Sequence, residues 1–98
     1  NDYGYDNIYS RMVEAAGRDG DILIGISTSG NSTNVVNAIE KANKIGMTTI
    51  GFTGEKGGKM NDICDITIRI PSTDTPRIQE LHILVGHIIC QLIEEELF

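Results

Sequence analysis

The sequence is short of several things, and each shortage removes a class of function. Lys and Arg total only eight against fourteen Asp and Glu, giving a formal net charge of −6. The basic residues are scattered, whereas counterion-driven nucleic-acid binding needs them clustered, so nucleic acid is not expected as a direct partner. There are two cysteines, Cys64 and Cys90, with no CxxC and no metal-ligand spacing. They read as two buried, reduced thiols of a cytosolic protein. No signal-peptide pattern is present. The longest apolar stretch, "ILVGHIICQLI", is broken by His87 and Gln91 and is too short to span a bilayer. The nucleotide signatures GxxxxGK[ST] and GxGxxG are both missing. No internal repeat or linker divides the 98 residues, so one domain is expected.

What is present has a clear rhythm. "YDNIYSRMVEAAG" has helical spacing, with Ile8, Met12, Val13 and Ala16 on one side and Gly17 as the residue that ends it. "DILIGI" and "MTTIGF" are short apolar runs of buried-strand type. Between them, "TNVVNAIEKANKIG" predicts a helix with Val35, Val36, Ala38, Ile39, Ala42 and Ile45 inward and Gly46 at its C-terminal end. "TGEKGGKMNDIC" reads as a Gly-rich loop with one helical turn. "DITIRI" alternates and reads as a sheet-edge strand with Ile66, Ile68 and Ile70 on one face. "PRIQELHILVGHIICQLIEEELF" is a long closing helix, with Thr75 as N-cap and Pro76 at its first position. Helices alternating with strands imply βαβ units, a parallel sheet and helices on both faces: an α/β, doubly wound, flavodoxin-like fold.

The closing helix is apolar nearly all round: Ile78, Leu81, Ile83, Leu84, Val85, Ile88, Ile89, Leu92 and Ile93 cover more than one stripe. Such a helix must be buried nearly all round, which a domain this small can hardly achieve. Further N-terminal chain and a second subunit are both expected to cover it. The opening "NDYGYD", with no preceding Met, reads as the interior of a longer protein.

The stretch "GISTSGNST" concentrates chemistry. Seven of its nine residues are Ser, Thr or Gly, more than a turn requires. It joins the C-terminal end of a strand to the N-terminal end of a helix, the edge at which open α/β sheets bind ligands. Free backbone N–H groups and the helix dipole favour an anion there. Ser27, Thr28, Ser29 and Ser32 add hydroxyl donors, and Gly30 permits close backbone approach. With no Lys or Arg in the loop, such a site suits a phosphate monoester on a small molecule. A polar turn with Asn31 or Ser32 as helix cap is the other reading of the same residues.

"GISTSGNSTNVVNAIEKA" resembles the phosphate loop of the sugar isomerase (SIS) domain family. "TGEKGGKM", "RIQELHILVGHIICQLIE" and "NDYGYDNIYSRMVEAAGRDGD" narrow the resemblance to its phosphoheptose isomerase branch, over essentially all 98 residues. The resemblance implies that residues 1–98 are the C-terminal part of a single SIS domain whose N-terminal helices and first strand are not covered. It implies isomerisation of sedoheptulose 7-phosphate to D-glycero-D-manno-heptose 7-phosphate through an enediol(ate), towards ADP-activated heptose for surface polysaccharide. It further implies a cytoplasmic homotetramer, with the long helix in a subunit interface, and one zinc ion per site.

By position, the resemblance makes Ser27, Thr28, Ser29 and Ser32 phosphate-binding residues and Asp2 and Gln79 further substrate-binding residues. Gln79 and His87 become the metal ligands from the last helix, and His87 the catalytic acid/base. The family's catalytic Glu and its other pair of ligands have no counterpart in these 98 residues. His82, three residues on from Gln79, is expected to be a structural or supporting residue. Gln79 and His87 are eight residues apart, about 12 Å along a straight helix. Three arrangements meet that distance: Gln79 reaching down and His87 back up, a helix distorted near Gly86, or ligands drawn from different chains. A non-catalytic SIS protein that binds a protein partner, of the replication-initiator-associating type, is the alternative function. A sugar-phosphate-sensing domain of a transcription regulator is a third reading, without support from the acidic composition.

Overall fold

The computed structural model describes residues 7–97. In chain order its elements are α1 (Ile8–Ala16), β1 (Ile22–Ile26), α2 (Thr33–Ile45), β2 (Thr48–Thr53), α3 (Gly58–Ile63), β3 (Ile66–Arg69) and α4 (Thr75–Leu97). The three strands form one parallel sheet in the order β1-β2-β3, each joined to the next by a helical crossover. The α/β expectation holds, and β3 is an edge strand as its alternation predicted. The single helical turn expected in "TGEKGGKMNDIC" is the six-residue α3.

The register decides what each face touches. Gly25 pairs with Gly51. Gly25 lies under Ile39 and Val35 of α2, and Gly51 under Met60 and Cys64 of the α3 segment. Two glycines on this face let both helices sit close to the strands. Val36, Ile39 and Met60 form the core there, and Val13, Ala38, Ala42 and Met47 extend it to α1. Gly46 ends α2 in the left-handed region (φ 97), its N–H reaching the carbonyls of Ala42 and Asn43. Gly17 also ends α1, as expected, but in extended backbone (φ −73), its N–H donating to the Val13 carbonyl. A Cβ there would strike the Val13 carbonyl and the Met47 sulfur, so crowding explains this glycine.

The buried Thr49 joins three segments. Its hydroxyl donates to Asn43 Oδ1 (3.0 Å) and accepts from the Asp65 N–H (3.1 Å), while its own N–H donates to Asp65 Oδ2 (2.9 Å).

The opposite face carries α4 over Phe52. Of its 23 residues only Ile78 and His82 are buried. Ile83, Leu84, Ile88, Leu92 and Ile93 are about half exposed, as are Ile22, Ile24, Ile26 and Ile66 of the sheet. Full burial predicted for the long helix is thus not supplied by this chain. The same holds for α1, where Val13 is buried but Ile8 and Met12 are exposed. The cysteines also differ from expectation. Cys90 is exposed on α4, and Cys64 is half-buried. Partial burial, reinforced by the neighbouring Asp65 carboxylate, raises the Cys64 thiol above its ordinary pKa. Among the described residues no helix is long and apolar enough to cross a membrane.

Candidate functional site

The Ser/Thr/Gly loop occupies the carboxyl end of β1, between the strand and α2, as its sequence position implied. The parallel ladder carries on one step past the strand, with the Ser27 N–H donating to the Phe52 carbonyl (3.0 Å). The Ser27 side chain is buried, and its hydroxyl oxygen accepts from the N–H groups of Gly30 (3.2 Å) and Ser32 (3.4 Å). Ser27 therefore holds two donors of the loop on one point and fixes its curl. Ser29 accepts from the Asn31 N–H (3.1 Å) and lies 3.4 Å from the Ser27 hydroxyl. Ser32 donates to Asn34 Oδ1 (2.5 Å); neither it nor Asn31 makes a side-chain cap to α2. Ser32, one of the two cap candidates, is thus the N-cap of α2 by position, its carbonyl accepting from the Val36 N–H (2.9 Å), while its hydroxyl caps nothing.

The loop is braced from outside by α3, the expected helical turn, whose contact with the loop the spacing did not foretell. The Met60 N–H donates to the Gly30 carbonyl (3.0 Å), and the Lys59 N–H to Asn31 Oδ1 (2.8 Å). Gly30 (φ 73), Gly57 (φ 75) and Gly58 (φ 57) are all left-handed. A Cβ on Gly30 would overlap the Gly57 carbonyl, and one on Gly58 the Ser29 carbonyl. Two backbone segments thus meet with no room for side chains. The "GG" pair was the signal available in the sequence.

A cleft of about 350 Å³ opens beside this brace. It is lined by Thr28, Ser29 and Asn31 from the loop, by Gly54, Glu55, Lys56 and Gly58 between β2 and the start of α3, by Ser72 and Thr73 before α4, and by Thr75 and Ile78 in its first turn. Three more hydroxyls, the Lys56 cation and the Glu55 carboxylate thus join the loop from segments outside it. "PSTDT" carried the signal, a second run of short hydroxylated residues.

A second, mostly apolar groove of about 710 Å³ lies between α4 and the sheet. Gln79, His82, Gly86, His87 and Cys90 line it from the helix, Ile24, Ile26 and Phe52 from the strands. Gln79 and His87 are both exposed and both face this groove. α4 runs as one unbroken α-helix from Thr75 to Leu97, Gly86 included. An amide oxygen and an imidazole nitrogen suit zinc as donors, but a structural or catalytic zinc site takes three or four protein ligands. Among the described residues no three of His, Cys, Asp or Glu converge. In donor chemistry Gln79 and His87 fit such an ion; in number they do not complete its site. Asp2 lies outside the described residues.

His82 is the buried member of the α4 stripe. Its Nε2 lies 2.8 Å from the Thr53 carbonyl and its ring is tilted against Phe52, with centroids 5.7 Å apart. Its Nδ1 is buried without a hydrogen-bond partner, an arrangement that costs roughly 1–3 kcal/mol.

A strand–hydroxyl loop–helix unit, braced by a second glycine-rich turn and closed by a long helix, has counterparts. The family model described as the SIS domain matches residues 1–54, which takes in the whole hydroxyl loop. The chain belongs to the SIS domain family. Phosphoheptose isomerase of Aliarcobacter butzleri is 63% identical over 97 residues, covering 99% of this chain and 51% of that protein. That of Clostridium acetobutylicum is 58% identical over 98 residues, covering 100% of this chain and 50% of the relative. The solved structure of phosphoheptose isomerase GmhA from Neisseria gonorrhoeae superposes with a TM-score of 0.91 at 47% identity, over 95% of this chain and 53% of that one. The chain thus spans about half the length of the curated relatives it matches, and its SIS architecture is the one they share.

Proposed function

We infer that this chain forms part of a phosphoheptose isomerase, which interconverts sedoheptulose 7-phosphate and D-glycero-D-manno-heptose 7-phosphate. The observation that carries this reading is the identity of 58–63% to curated phosphoheptose isomerases over 99–100% of the chain. The non-catalytic SIS alternative has no comparable support.

The chemistry assigns work to residues of this chain. The phosphate group suits the hydroxyl loop, where Thr28, Ser29 and Ser32 offer hydroxyls and Ser27 organises the N–H groups around them. An anion there is favoured by the N-terminal end of α2. The isomerisation itself removes a proton from C1 of the ketose and returns one to C2, while a proton moves from O1 to O2. It needs a carbon base and a group that serves the two oxygens. His87, exposed in the groove, is assigned the proton transfer at the oxygens, and Gln79 the orientation of the sugar. The carbon base comes from outside this chain. Zinc, held from this chain by Gln79 and His87 and completed by donors outside it, would supply Lewis-acid stabilisation of the developing enolate charge when bound. Asp2 remains in the proposal as a substrate-binding position.

The half-exposed apolar side chains of α4 support assembly through that helix, with a homotetramer as the proposed state. The protein is proposed to act in the cytoplasm, in supply of ADP-activated heptose for surface polysaccharide. The test is turnover of sedoheptulose 7-phosphate by the full-length gene product, with zinc added and with zinc chelated. Zinc-dependent turnover is the expected result. Phosphosugar binding without turnover would replace the enzyme reading with the non-catalytic one.

A further inference from the structure

We propose that His82 is a positioning residue of the isomerase site, which couples α4 to the hydroxyl loop through one peptide group. The proposal rests on the isomerase reading for its catalytic consequence, and on geometry for the coupling itself. A carbonyl oxygen has only lone pairs to offer, so the 2.8 Å contact to Thr53 requires that Nε2 of His82 carry the hydrogen. The carbonyl of Thr53 and the N–H of Gly54 belong to the same peptide unit, which is planar and stiff. Its oxygen receives His82; its N–H donates to the Thr28 carbonyl, in the hydroxyl loop, at 2.9 Å. The same oxygen also accepts from the Ile70 N–H (3.0 Å), where β3 leaves the sheet. One plane thus ties α4, the β3 exit and the hydroxyl loop, and hydrogen bonds in such a chain polarise one another.

Packing strengthens the same junction. Ile78, one turn before His82, closes on Gly54: a Cβ there would stand 2.7 Å from Ile78 Cδ1 and 2.8 Å from the Thr28 carbonyl. Ile78 and His82 are also the only buried residues of α4. The helix that carries Gln79 and His87 is therefore anchored at this junction, and its placement over the phosphate loop is set here. If ring packing on Phe52 were all that was required, a phenylalanine would serve without burying the unpartnered Nδ1.

The test uses the full-length protein and the changes His82→Phe, His82→Gln and His82→Asn. Phe keeps a ring and loses the donor. Gln places its amide nitrogen near the position of Nε2. Asn is polar but too short to reach Thr53, and it stands in if the Phe variant does not fold. Expected for His82→Phe (or Asn) is a kcat at least tenfold below wild type with KM changed less than threefold, at a temperature where the variant is folded. His82→Gln is expected to recover kcat to within threefold. Amide exchange at Gly54 and across residues 27–32, measured without substrate, is expected to quicken at least tenfold in the Phe or Asn variant and not in the Gln variant. Equal kcat in wild type and the donor-less variant, or a Gln variant no better than it, would overturn the catalytic consequence. Unchanged exchange would overturn the coupling. If wild type shows no isomerase turnover, the functional reading fails separately, and the exchange data alone decide whether His82 links α4 to the loop.

Discussion

On one face of the sheet α2 buries Val36, Ala38, Ile39 and Ala42 and meets α1, α3 and the strands. On the other, α4 is nearly twice as long and buries two side chains. Both helices are rich in aliphatic residues, so composition does not explain the difference. Neighbours do. α2 packs against the two strands it connects, and Gly25 admits its Val35 and Ile39 closely. α4 follows β3, and among the described residues nothing covers more of it than Ile78 and His82. Full burial of a Leu or Ile is worth roughly 1.5–3 kcal/mol, and α4 leaves much of that unrealised. The first face is finished by local connectivity. The second leaves its aliphatic side chains about half exposed among the described residues.

The largest effect that would sharpen this contrast is catalytic. His87→Ala, on the unfinished face, is expected to lower kcat of the full-length protein by roughly 10²–10⁴-fold with the fold intact by circular dichroism; a loss under threefold would remove His87 from proton transfer. On the finished face, Ile39→Ala is expected to destabilise by about 2–5 kcal/mol in denaturant unfolding, because a fully buried side chain leaves a cavity. A cost below about 1 kcal/mol would show that this core is looser than it looks.

Leu84→Glu probes α4 from outside. Leu84 is half exposed within this chain, so the change should spare the chain's own fold yet split the assembly by placing an unpaired charge in its interface. An unshifted gel-filtration profile would break the comparison outright. Ser29→Ala is expected to raise KM for the phosphosugar about tenfold, the loss of one hydrogen bond to a charged group, with kcat little affected; unchanged kinetics would take Ser29 out of the site. The smallest effect belongs to the Lys41–Glu14 pair, 3.1 Å apart and solvent-exposed on the Glu side. Lys41→Met should change stability by less than about 1 kcal/mol, confirming that α1 and α2 are joined by Val13 and Ala38 and not by charge.

Legibility followed the range of the interaction. Gly46 as a left-handed helix end was readable because the need arises within one turn of α2. Gly17 was readable as the end of α1, but not the crowding it relieves, which combines the local Val13 carbonyl with the distant Met47 sulfur. Ile39 and Ala42 were placed inward by helical spacing, and they are buried. Ile8 and Met12 had the same spacing and are exposed, since periodicity names a face and does not say whether anything covers it. The hydroxyl loop stood out by composition. Its bracing by Met60 and Lys59, and the Ser72, Thr73 and Thr75 that share its cleft, come from distant segments that only the folded sheet brings together.

The sequence by itself determined the alternation of helix and strand, the parallel sheet and the position of the hydroxyl loop at a strand's carboxyl end, because these depend on residue spacing and local turn chemistry. The tertiary structure alone decided that Ser27 turns inward to hold two N–H groups, that Gln79 and His87 face one groove, and that His82 meets the Thr53–Gly54 peptide. Ser27 curls onto partners three and five residues away, a loop geometry that composition does not specify; the other two depend on how elements far apart in the chain are brought together, and helical or strand periodicity carries no record of the partner on the other side.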